Sequence, residues 1–161
     1  MSRDLRDEAS YLHTALLLGL LKGADAVAWA DRMIHELSDP PHDLIELSLT
    51  APEDLSAVRH ALAPLAHERV PDAVMERTVR LIADEHVAGR RTPHDSLRVL
   101  TQMRRLLPLP AAMADAIRPF ENEHMLASVR IGPSIEAVEA RLGAWLVQLA
   151  GEGGALEDRA T

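Results

Sequence analysis

The residue pattern with the sharpest chemical meaning in this chain is Glu121-Asn122-Glu123-His124. A Glu-x-x-His spacing sets a carboxylate and an imidazole on one helix face, as in the di-iron helical bundles that hold a shared metal pair. Such a centre takes two of these motifs and two further glutamates. The chain supplies one motif, so it reads as a solvated helix face. Eight histidines also invite a metal. His35 and His42 flank a Pro-Pro turn beside Glu36, Asp39 and Asp43, but no His-x-x-x-His or His-Glu-x-x-His is present. His60 and His67 stand seven apart, with Pro64 between them, and read as surface histidines. His13 and His86 fall within or beside apolar runs; each reads as a core histidine with one satisfied hydrogen bond rather than a perturbed acid or base. No Gly-x-Ser-x-Gly elbow occurs. The 8 glycines are too scattered for a phosphate loop or dinucleotide turn. With no cysteine there is no thiol nucleophile, Cys-based zinc site or disulfide. No catalytic residue, metal site or cofactor is expected.

Charge is more informative than motif. The chain carries a net charge of −8, which argues against general binding to nucleic acid or anionic lipid. The distribution is uneven. Residues 77–105 hold seven arginines against Asp84, Glu85 and Asp95, a net of +4, so the remainder carries −12. Within the basic zone Arg91, Arg98 and Arg105 form a candidate face for phosphates or an acidic protein patch. The absence of nearby aromatics and lysines speaks against single-stranded nucleic acid, whose bases are usually stacked. In the acidic remainder, Asp31, Glu36, Asp39, Asp43 and Glu46 form the candidate surface for a basic partner.

The elements that must carry these groups are marked by proline. At Pro40-Pro41-His42-Asp43, Pro52-Glu53-Asp54, Pro71-Asp72, Pro93-His94-Asp95, Pro119-Phe120-Glu121 and Pro133-Ser134-Ile135-Glu136, a proline is followed closely by an acid and then by apolar residues at helical spacing. Proline suits a helix's first turn, where its missing amide would have had no partner, and acids there complement the helix dipole. The pattern predicts helices over 11–21, 25–37, 42–49, 52–67, 72–87, 93–107, 111–118, 119–130 and 134–150. Residues 2–9 are expected to fray. Gly23 is expected to end the first helix, Pro64 to kink or end the fourth, Gly89 to cap the fifth and Thr92 to N-cap the sixth. The fold expected is all-α: one compact bundle of about eight or nine short helices over residues 1–150, with 151–161 a disordered tail.

Aromatics are nearly absent: Tyr11, Trp29, Phe120 and Trp145 are all there are. The core must be aliphatic, with 25 alanines adding helix propensity. Both tryptophans lie on or beside apolar stripes and read as core or interface anchors. Sixteen arginines against a single lysine point to a high-GC bacterial genome. Leu12–Leu21, the most apolar run, is about half the ~20 residues of a membrane span. The N-terminus interleaves acids with arginines, unlike a signal peptide. A soluble cytoplasmic protein is expected.

Residues 16–49, with Gly23, Val27, Trp29-Ala30-Asp31, Ile34, Pro40-Pro41 and Leu44-Ile45-Glu46-Leu47-Ser48, resemble a pattern in small bacterial all-helical proteins that carry no assigned activity. The resemblance covers about a fifth of the chain. It implies a recurring helix–turn–helix core piece and brings no functional residues with it. Small acidic helical proteins of this look also include immunity proteins that neutralise toxins, an analogy of fold and charge. The expectation is a non-enzymatic module that docks another protein, of basic charge. Behind it stand a self-associating helical scaffold, a homo-oligomer, and an arginine-face binder of phosphates or nucleic acid.

Overall fold

Proline-acid pairs begin helices at five of the six expected places. The computed structural model describes residues 3–157, with side-chain burial described for residues 3–151. It contains α1 (Arg3–Leu17), α2 (Gly23–Glu36), α3 (His42–Ser48), α4 (Leu55–Leu62), α5 (Asp72–Val87), α6 (Pro93–Leu106), α7 (Ala111–Ser128) and α8 (Ile135–Glu157). Among the described residues there is no strand, and the chain is all-helical as expected. Thr92 caps α6 as predicted: its hydroxyl accepts from the Asp95 amide at 3.1 Å and donates to the Asp95 carboxylate at 2.8 Å. Asp54 caps α4, its carboxylate accepting from the Ala57 amide at 3.0 Å, so that helix starts after Pro52. It stops before Pro64.

In α7 and α1 the boundaries differ from expectation for reasons that packing supplies. α7 runs through Pro119, where two helices were expected. A proline inside a helix costs about 3 kcal/mol. Here Pro119 is exposed, which leaves the orphaned carbonyl one turn back open to water. Contacts just beyond it hold the continuing chain: Phe120 lies 5.5 Å from the Trp145 ring, and Glu121 accepts from Arg104 Nε at 2.7 Å. α1 begins at Arg3, in the segment expected to fray. Its first turns have remote partners: Asp7 meets His67 Nε2 at 2.6 Å, Ser10 Oγ accepts from the His67 amide at 2.8 Å, and Glu8 pairs with Arg77. Arg77 also lies 3.7 Å over the Tyr11 ring, and the Glu8 carboxylate raises its pKa further. α1 ends at Gly19, not Gly23. Gly19 takes φ +68°, and the Leu20 amide donates back to Ala15 at 2.8 Å, closing the helix in a Schellman turn. Gly89 closes α5 in the same way, as expected.

Inside α5 the chain passes between two compact units: residues up to Thr78 and residues from Val79. In the first unit α1 to α4 pack on one another around Leu12, Leu16, Trp29, Leu44, Leu47, Val58, Leu62, Leu65 and Met75, all buried. Trp29 is thus a core anchor. In the second unit α6, α7 and α8 pack pairwise around Ile82, Leu97, Leu100, Met103, Ile117, Val138, Leu142 and Leu146. α8 continues to Glu157, seven residues into the segment read as a tail, and residues 158–161 lie outside the described residues.

His13 tests the first unit. Burial pushes its imidazole below the usual range, and the Arg59 guanidinium pushes it further. Below the unfolded value near 6.5, the unfolded chain takes up a proton that the native state resists. The contribution from neutral His13 is therefore complete above that pH and drains away as pH falls toward the depressed native value. The urea midpoint of the wild type is expected to fall between pH 7.5 and 5.5 more steeply than that of His13→Gln. Parallel pH profiles would show that His13 stays solvated.

Candidate functional site

Two places gather the groups singled out from sequence, one in each unit.

The first is the outer surface of α2 and α3. The exposed positions of α2 recur at helical spacing and include Asp31, Arg32, His35 and Glu36, while Ala26, Trp29 and Ala30 face the core. The short α3 buries Leu44 and Leu47 completely and turns His42, Ile45, Glu46 and Leu49 outward. Leu49, just past its end, is 81% exposed, and Ile45 is 38% exposed. Asp39 is exposed in the connecting turn and Asp43 is half-buried on α3. Arg32 is the one arginine or lysine between residues 31 and 49. Glu46 meets His42 Nε2 at 3.2 Å, and His35 Nδ1 is bonded to the Asp31 carbonyl at 2.7 Å. So the five predicted acids lie on α2, α3 and the turn between them, and the same segment exposes two aliphatic side chains, Ile45 and Leu49.

The second is a cleft of about 740 Å³ between α6 and α7, lined by His94, Arg98, Thr101, Gln102, Arg105, Glu121 and His124 among others. The start of α6 is held by Thr92 and Asp95, and hydrogen bonding from Thr92, helped by Arg98, keeps the Asp95 carboxyl below its usual range. His94, one residue earlier, is thereby fixed at the mouth of the helix. Its Nδ1 stands 3.3 Å from Glu139 Oε1 on α8, and its ring is 5.3 Å from that of His124 on α7. Glu121 and His124, read as a solvated face, are both half-buried.

The candidate basic face is split. Arg98 and Arg105 line this cleft with Gln102, but Arg91 does not; it is 16% exposed and lies 3.5 Å from Glu85, which Arg90 also contacts at 2.7 Å. Arg104 is taken by Glu121 at 2.7 Å, and Arg98 approaches Asp95 at 3.8 Å. Much of the apparent positive zone is thus neutralised by the chain's own acids.

His86 and His67 are placed as structural groups, whereas His60 is exposed. His86 Nδ1 is bonded to the Arg91 carbonyl at 3.2 Å, and its ring packs near Gly143. His67 ties α1 down as described above. His94 and Glu139 had no signal in the sequence, because their proximity comes from packing three separate helices.

Among the described residues no helix is long and apolar enough to cross a membrane. Comparison with protein-family models, with curated proteins and with solved structures gives no match.

Proposed function

We propose that this protein is a cytoplasmic, non-enzymatic bacterial module that binds a basic protein through the outer surface of α2 and α3. The observation that carries the reading is Leu49, 81% exposed one turn after the exposed Ile45, in the α2–α3 segment that also holds Asp31, Glu36, Asp39, Asp43 and Glu46. Protein interfaces have this anatomy: an apolar centre that loses its water on docking, and a polar rim that sets orientation and encounter rate. Five acids against Arg32 select a partner of positive charge and speed its approach, the more so at low salt. Neutralising or regulating a basic enzyme by covering its surface fits this arrangement.

The test uses two variants. Reversing Asp31, Glu36, Asp39, Asp43 and Glu46 to arginine is expected to abolish capture of a basic partner, which is then purified for titration. Against that partner, Leu49→Asp is expected to weaken binding by about 30-fold or more, the loss of roughly 2 kcal/mol typical of an interface centre. Salt should slow association of the wild type and have less effect on the charge-reversed chain. Equal affinity of wild type and both variants for the purified partner would remove this surface from the function.

A second reading has its own support. Arg98, Arg105 and Gln102 share the wall of the α6–α7 cleft, a setting suited to a phosphate-bearing ligand. Its weakness is Arg91, held by Glu85 away from that wall.

A further inference from the structure

We propose that the second unit binds a divalent transition metal, of the zinc class, through His94, His124 and Glu139. These three side chains come from α6, α7 and α8 and offer ligand atoms that all lie within 4.8 Å of one another. A tetrahedral zinc with bonds of about 2.0–2.1 Å sets its ligand atoms about 3.3 Å apart. His94 Nδ1 and Glu139 Oε1 stand at 3.3 Å already. The other pairs lie within 4.8 Å, so at most about 1.5 Å of side-chain movement brings the set to that spacing.

A second observation points the same way. His124 Nε2 is buried and has no hydrogen-bond partner. A buried imidazole nitrogen left alone is costly, and coordination would satisfy it. Half-burial of His124 and Glu139 limits competition from water, while the more exposed His94 leaves a route of entry.

The donor set selects the ion. Two imidazoles and one carboxylate are borderline ligands, suited to zinc and its neighbours rather than to calcium or magnesium, which prefer all-oxygen shells. Three protein ligands leave the fourth tetrahedral position for water or a ligand. Both histidines line the α6–α7 cleft, so that position is reached from it. Glu121, one turn before His124 on the same helix, lines it too, and its Oε1 is buried without a partner. Of the Glu-x-x-His pair, His124 is thus a ligand, while Glu121 lines the cleft beside it and pairs with Arg104.

The site is independent of the α2–α3 docking surface, and each can fail alone. The test is titration of the full chain with zinc chloride by calorimetry, repeated with cobalt(II) and read by visible absorption, whose intensity reports four-coordinate geometry. One saturable site of micromolar or tighter affinity is expected. His124→Ala and His94→Ala should each weaken it by at least 10-fold, and Glu139→Gln should weaken it and alter the cobalt spectrum. His94 is exposed, so its replacement leaves the fold intact, and circular dichroism of each variant checks this. His42→Ala should bind as the wild type does. Absence of saturable binding, or binding that survives His94→Ala and His124→Ala unchanged, would overturn the proposal.

Discussion

Gly23→Ala is expected to cost about 3 kcal/mol, seen as a fall in the urea midpoint of the first unit without a change in its slope. The cause is close approach. A β-carbon on Gly23 would lie 2.1 Å from the Pro52 carbonyl oxygen and 3.1 Å from its carbon. The obstacle is backbone, so no side-chain rotation relieves it. Either α2 or the segment before α4 must move, and Leu44, Leu47 and Val58, all fully buried nearby in sequence and fold, resist that movement. Gly143→Ala is the matched control. Its new β-carbon would meet His86 Nε2 at 3.3 Å, the end of a side chain that need give only a few tenths of an ångström. Helix propensity in α8 also gains from the change, by up to about 1 kcal/mol, so near-neutral stability is expected there. An alanine at 23 that unfolds like the wild type would mean that α2 does not rest on Pro52.

Leu47→Ala is expected to cost about 3–4 kcal/mol and to remove binding of the proposed basic partner at the same time. Leu47 is fully buried, and truncating a buried leucine loses its transfer energy and leaves a cavity. The helix that carries it, α3, has 7 residues, too few to persist in water by itself. Its stability comes from docking Leu44 and Leu47 against α2 and α4. Once it loosens, Ile45, Glu46 and Leu49 are no longer held in one arrangement. Amide exchange over 42–48 should accelerate ahead of the rest of the unit. Leu49→Ala supplies the contrast: at 81% exposure its removal should leave the urea midpoint within about 0.5 kcal/mol of the wild type while still weakening the partner's hold. Loss of stability in both variants, or in neither, would contradict the division of labour between the two leucines.

What could be read directly from the chain was local. Helix starts are written in short-range chemistry, so Thr92 with Asp95, and the proline-acid pairs at 41, 52, 71, 93 and 133, were legible. Pro119 misled because a local rule was outweighed by packing: Phe120 against Trp145 and Glu121 against Arg104 hold the helix through it. The start of α1 was hidden for the opposite reason. Its partners, His67 and Arg77, lie 57 to 69 positions away, and no spacing rule reaches that far. The five acids were visible as a composition bias, but the exposure of Ile45 and Leu49 was not, since Leu44 and Leu47 look the same in sequence. Only the phase of α3 against its neighbours separates buried from exposed. The arginine zone illustrates the limit of counting charge: Glu8, Glu85 and Glu121 fold back onto Arg77, Arg90, Arg91 and Arg104. Likewise the Glu-x-x-His motif read as a solvated face, because His94 and Glu139 become neighbours of His124 only through tertiary packing.

The clasp on α1 bears on how the nascent chain matures. Asp7, Glu8 and Ser10 leave the ribosome long before the residues that grip them, the last being Arg77, 69 positions later. At about 5–20 residues per second, that interval is roughly 3–14 s. For the larger part of it, until α4 has been made, the apolar run from Leu12 to Leu21 lacks the helix that packs on it, so the earliest seconds of synthesis are those in which this segment is most open to non-native contacts.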